Sequence, residues 1–156
     1  MPRKFLVVVD DSPEFEAALR YAARRARSTG GRVALLHVIP AAASDAHWSG
    51  VREEIERQTR LEAEAALNKW AEEAAERSGA TAVLLIERGE AQAAIRKVVG
   101  EDPEIKILVL AADGGGRGPG PLVTAVLKHG AAFTGRKLPV TIVPGELTEK
   151  DIEDLA

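Results

Sequence analysis

The chain has no cysteine, so disulfides, thiol nucleophiles and thiolate metal sites are excluded, and a reducing compartment suits it. Aromatic residues make up only 4%, too few to build stacking platforms for single-stranded bases. There is no excess of basic charge either. With 21 basic and 24 acidic side chains the formal net charge is −3, and no positive field draws in phosphate backbones, so nucleic acid is not expected as a partner. No apolar run approaches the roughly 18 residues of a membrane span, so no membrane partner is expected. The opening Met1 to Val9 passes from an Arg-Lys pair straight into a short β-branched run, too short and too early for a signal-peptide core. A soluble, cytoplasmic protein is the expectation.

What is present is an ordinary globular balance, 46% hydrophobic and 29% charged, over 156 residues, which suits one domain with one core. Phe5 to Val9 reads as a buried strand stopped by Asp10-Asp11-Ser12-Pro13. Ser12 is placed to cap the next helix and Pro13 to occupy its first position, with Glu14 and Glu16 near the positive end of its dipole. The apolar face of that helix is Phe15, Ala18, Leu19, Ala22 and Ala26, and Gly30-Gly31 stops it. Arg32 to Ile39 is a second strand, completing a β-α-β unit whose strands should lie parallel.

A small-residue and polar connection over 41–50 leads to a long helix over about 51–77, with Ala63, Ala66, Leu67, Trp70 and Ala74 inward and Trp48 clipping its start. Alternating acids and bases along 52–60 predict a solvated face laced with weak ion pairs. Ala82 to Ile86 is strand three, and a short helix with Ala91, Ala94, Ile95, Val98 and Val99 inward follows Gly89. Ile105 to Ala111 is strand four and runs into an unusual glycine- and proline-rich stretch, 113–121. A helix over 122–133, a fifth strand over Val140 to Val143, and a last short helix capped by Thr148, with Ile152 and Leu155 on one face, complete the pattern.

Val7-Val8-Val9-Asp10-Asp11-Ser12 with Ala18-Leu19 and Ala22, then Leu35-Leu36-His37-Val38, resembles the opening of universal stress protein domains. Gly89-Glu90-Ala91 with Ala94-Ile95 is similar to that family's glycine-led third helix. Ile107 to Leu110 resembles its fourth strand, and Leu138 to Pro144 its last. The likeness runs from Lys4 to Pro144. It implies an α/β chain with a three-layer, Rossmann-like (adenine nucleotide alpha hydrolase-like) fold: a five-stranded parallel sheet in the order 3-2-1-4-5, with a crevice where strands one and four diverge. Residues 1–145 would form the family domain and 146–156 a C-terminal tail with a short helix.

The resemblance also implies a stress-response or regulatory role and an adenine nucleotide as ligand, ATP, ADP or AMP, with Mg²⁺ accompanying it if present. In nucleotide-binding members the acidic residue after strand one and the backbone ending strand two hold adenine and ribose, here Asp10 and Val38. Asp11, Ser12 and Asp113 border the same crevice. Asp10 serves equally well as a turn residue at the helix entry. The same members bind phosphate with Gly, two residues, Gly, nine residues, then Gly followed by Ser or Thr. This chain departs from that pattern, with Ala111 at the first point, Gly114 at the second, and Thr124-Ala125 at the third. Thr124 supplies a hydroxyl with a one-residue slip. Gly114, Gly115, Gly116, Gly118 and Gly120 leave amides free to turn toward an anion, with Arg117 beside them, and they equally suit an unliganded loop.

No Gly-x-x-x-x-Gly-Lys-Ser/Thr occurs, and residues 114–120 do not fit Gly-x-Gly-x-x-Gly. His37 should face the side of the sheet opposite Val38 as a packing residue, and His129 the surface; neither these nor His47 shares a motif with Ser12 that would make a hydrolase. No dedicated metal site and at most slow ATP turnover are expected. In the implied sheet strand five lies at an edge, and family members pair it across a two-fold axis, so Val140, Thr141, Ile142 and Val143 are the expected homodimer interface. Two roles remain open: a dimer holding a nucleotide, or a nucleotide-free member acting as an interaction scaffold.

Overall fold

The computed structural model describes residues 3–10, 12–41, 49–113 and 118–156. The expectations placed on Asp11, His47, Trp48, Gly114, Gly115, Gly116 and Arg117 lie outside these residues.

The element order is β1 (Lys4–Val9), α1 (Phe15–Thr29), β2 (Arg32–Ile39), α2 (Ser49–Ser78), β3 (Val83–Arg88), α3 (Ala91–Glu101), β4 (Ile105–Ala112), α4 (Pro121–His129), β5 (Val140–Pro144) and α5 (Glu149–Leu155). One five-stranded sheet has the order β3-β2-β1-β4-β5, and every neighbouring pair is parallel. Val9 pairs with His37 of β2, and Val7 with Val109 of β4, so β1 is hydrogen-bonded on both sides.

The strands are continuous apolar runs because helices cover both faces. Phe5, Val7 and Val9 of β1 join Phe15, Leu19, Leu67 and Ile152 in one layer, under α1, α2 and α5. The alternate residues Leu6 and Val8 face the other layer, with Ile95, Val99 and Phe133. Leu6, Leu19, Leu35, Leu36, Ile95 and Leu108 have lost all contact with water. Each such side chain contributes about 1.5–3 kcal/mol relative to exposure. Trp70 is half-buried and meets Phe15 edge-on, ring centroids 5.0 Å apart. The first half of α2 is mostly exposed and carries the expected weak ion pairs, Arg52–Glu56, Arg57–Glu54 and Arg60–Glu64.

Several local expectations are corrected. Ser12 does not cap α1 and Pro13 does not open it: the helix starts at Phe15, after Glu14, and no side chain caps it. The helix expected over 122–133 ends at His129, and Gly130–Phe133 form a 3-10 turn, because Gly130 adopts φ 57°. Thr148 caps α5 as expected, in a capping box with Asp151, but only Ile152 of the pair is buried; Leu155 is 67% exposed. Strand three runs two residues further than expected, to Arg88.

At the amino end of the sheet Arg136, distant in sequence, binds three backbone carbonyls through one nitrogen, Nη2: Val99 at 3.0 Å, Asp102 at 3.0 Å and Ile105 at 2.8 Å. It thereby satisfies carbonyls that the end of α3 leaves without helical partners. Beside it, Lys4 Nζ donates to Asp102 Oδ2 at 2.7 Å. Burial disfavours the charged form of Asp102, but the bonds from Lys4 and from the Glu104 amide, with the charges of Lys4 and Arg136, outweigh it and hold its carboxyl below the usual 3.8. Because the folded value is depressed, Asp102's stabilisation is complete above 3.8 and is lost as pH falls through that value toward the folded one. Asp102→Asn should therefore flatten the acid limb of the stability–pH curve measured by urea unfolding. Parallel curves for the two proteins below about pH 5 would contradict this assignment.

Candidate functional site

The chain leaves β1 toward α1 on one face of the sheet and leaves β4 toward α4 on the other. Between the two exits, at the carboxyl ends of the strands, lies a cleft of about 320 Å³. That is within the usual size range of small-molecule sites. Its floor includes Val8 and Leu110, one wall is the start of α1 with Phe15, and the other is the start of α4 with Val123.

Asp10, Ser12, Ala111, Asp113 and Gly118 all line this cleft, as expected of a site at a switch in strand direction. Asp10 Oδ1 accepts from the Ser12 amide at 2.8 Å and also from the Ser12 hydroxyl. This is the turn role foreseen for Asp10, and it explains why the Ser12 hydroxyl is not at the helix start. The turn uses one carboxylate oxygen. Oδ2 of Asp10 has no partner among the described residues and is left to accept from another group.

Gly118 and Gly120 have φ of 86° and 101°, conformations that other residues rarely adopt, and they bring the chain to the first turn of α4. Pro121 occupies the first helical position and has no N–H, so the amides free of helical acceptors there are those of Gly120, Leu122 and Val123. The Thr124 hydroxyl donates to the Gly120 carbonyl at 2.8 Å, and Thr124 is not among the residues lining the cleft. Val38 is not among them either. It pairs with Glu87 of β3 and turns its side chain to the layer under α3 and α4, while His37 before it is part-buried with Nδ1 unbonded. His129 is exposed.

Glu14 lines the cleft; the sequence marked it as an acid at the helix start, not as a site residue. Gly145, just past β5, lies against it: a side chain at 145 would collide with Glu14 Cβ and crowd the Ala112 carbonyl, to which the Gly145 amide donates at 2.9 Å. A Gly following the last strand was the available signal. Pro119 and Pro121 also line the cleft, and their fixed φ angles alternate with the two glycines.

The universal stress protein family model matches residues 1–130. This chain belongs to the universal stress protein family. Among solved structures of that fold, universal stress protein UspA from Lactobacillus plantarum is 22% identical with a TM-score of 0.73, over 90% of this chain and 97% of that one. The universal stress protein from Archaeoglobus fulgidus in complex with dAMP is 19% identical, TM-score 0.58, covering 90% and 97%. A universal stress protein family protein from Arabidopsis thaliana with AMP bound is 18% identical, TM-score 0.61, covering 92% of each chain. No match was found among curated proteins. As a universal stress protein the chain shares the parallel 3-2-1-4-5 sheet, and its cleft stands where strands β1 and β4 part. No helix among the described residues is long and apolar enough to cross a membrane.

Proposed function

We propose that this universal stress protein is a regulatory protein that holds an adenine nucleotide in the cleft between β1 and β4. The observation that carries the reading is the spare carboxylate oxygen of Asp10 in a cleft of ligand size, facing the first turn of α4 across the site. A carboxylate accepts from the adenine amino group or from ribose hydroxyls, and the amides of Leu122 and Val123 at a helix start suit a phosphate. AMP and dAMP in two structures of the same fold support the ligand class. No cluster of three or more His, Asp or Glu groups among the described residues could hold a metal ion, so any Mg²⁺ would arrive with the nucleotide's phosphates.

The nucleotide-free scaffold remains the second reading, favoured by one observation: the Thr124 hydroxyl, expected to reach a phosphate, is committed to Gly120. Calorimetric titration with AMP separates the two. Asp10→Ala should weaken binding at least about tenfold, since a hydrogen bond to a charged group is worth about 1.5–3 kcal/mol. Asp10→Asn, which keeps an oxygen for the Ser12 amide, should lose less. Unchanged affinity in Asp10→Ala would refute the assigned pocket, and no saturable binding by the wild type would favour the scaffold.

The functional unit in this reading is a homodimer joined along β5. Val140, Thr141 and Ile142 are only part-buried, Val143 is buried, and among the described residues β5 pairs with β4 alone. The terminal helix α5 packs on α1, with Ile152 in the core layer that also holds Val143. An uncovered edge strand invites a partner strand. Light scattering at micromolar concentration should give twice the chain mass; a monomer would contradict the interface.

A further inference from the structure

Helix α5 sits against α1 and α2 without filling the space between them. Arg20, Arg24 and Arg27 recur at helical spacing along one face of α1, with Arg77 across from them on α2. A furrow of about 230 Å³ remains between these arginines and Glu149, Ile152 and Glu153 of α5. Arg77 Nη1 donates to Glu149 Oε1 at 2.7 Å, whereas Arg24 Nε lies 3.2 Å from Glu153 Oε1 without the alignment of a hydrogen bond. The bond from Arg77, its charge and that of Arg20 outweigh desolvation and hold the Glu149 carboxyl below the usual 4.5. Glu16 takes Nη2 of Arg20, Glu73 takes Nε of Arg77, and Glu76 lines the furrow, so part of the positive charge is offset. Donor capacity is left over all the same. Arg20 Nε and Arg24 Nε are buried with no acceptor among the described residues, and Arg27 has no side-chain partner there. A buried donor without an acceptor is costly, so an acid that reached these groups would gain.

The hold on α5 is light. It has seven residues, fewer than the roughly 12–15 an isolated helix needs, and one buried side chain, Ile152. The side chains of Glu149 and Glu153 are 65% and 68% exposed, where ion pairs contribute little and salt screens them. We propose that the furrow between α1 and α2 is a docking site for an acidic helix of a partner protein, and that α5 occupies it in cis as a weak competitor. The seat defines the partner's chemistry: acids flanking one apolar residue on a single helix face, as Glu149 and Glu153 flank Ile152. The apolar residue takes the place of Ile152 in the core layer beside α1, and the acids reach Arg20, Arg24 and Arg27, which α5 leaves under-used. The proposal is independent of the nucleotide reading of the cleft.

The test uses a fluorescein-labelled helical peptide that repeats the Glu-x-x-Ile-Glu spacing of residues 149–153 over about four turns, titrated with the full chain and followed by anisotropy. Tethered α5 competes at an effective concentration of about millimolar, so the variant carrying both Glu149→Gln and Glu153→Gln should bind the peptide about tenfold more tightly than the wild type. Both acids stand in solvent, so this variant keeps the fold. Adding Arg27→Gln to it should weaken binding about threefold, although Arg27 holds nothing in the folded chain, and about 0.5 M salt should weaken it further. Amide shifts in the ¹⁵N-labelled variant should concentrate at residues 20–27 and 73–77. Absence of saturable binding to the freed chain, equal binding of a scrambled peptide of the same composition, or indifference to Arg27→Gln would overturn the proposal.

Discussion

Parallel pairing of β1 with both of its neighbours is the constraint from which the remaining features follow. A strand bonded on two sides and covered on two faces must be apolar throughout, and Phe5 to Val9 is. Parallel neighbours must also be reached by crossovers, and the crossover after β1 lies on the opposite face from the one after β4. The exits of the two strands therefore diverge, and the cleft lies between them. Its position is a property of topology, whereas its lining is a property of a few residues.

That division explains what was legible from the residues alone. Five strands could be read because each is a compact β-branched run between turn formers, and helix faces such as Phe15, Leu19 and Ala22 repeat at helical spacing, whereas the strand order came from the family resemblance. Asp10, Ser12, Ala111 and Asp113 followed from the family resemblance laid on the strand ends, and all four line the cleft. What escaped was side-chain choice between competing partners. Ser12 had a helix start and a carboxylate within reach, and the carboxylate two residues back prevailed. Leu155 shares a helical period with Ile152, but at the end of a seven-residue helix only one of them reaches the core. Arg136 acts through tertiary contacts with segments far along the chain, for which sequence spacing holds no signal, and Glu14 was marked only indirectly, by the glycine that follows the last strand.

The two ends of the cleft are unequally built. At the β1 end, Asp10 combines a turn with a spare oxygen, so its structural and binding roles are compatible rather than rival. At the α4 end the chain enters the helix through Gly118-Pro119-Gly120-Pro121, a segment of alternating positive and fixed φ angles.

The most direct test of the central claim is an amide-resolved NMR titration of the ¹⁵N-labelled chain with AMP. Binding between β1 and β4 predicts shifts concentrated at Asp10, Ser12, Asp113 and the Gly118–Val123 segment, saturating together. Saturable shifts centred elsewhere, such as the arginine-lined groove between α1 and α5, or none at all, would contradict the account.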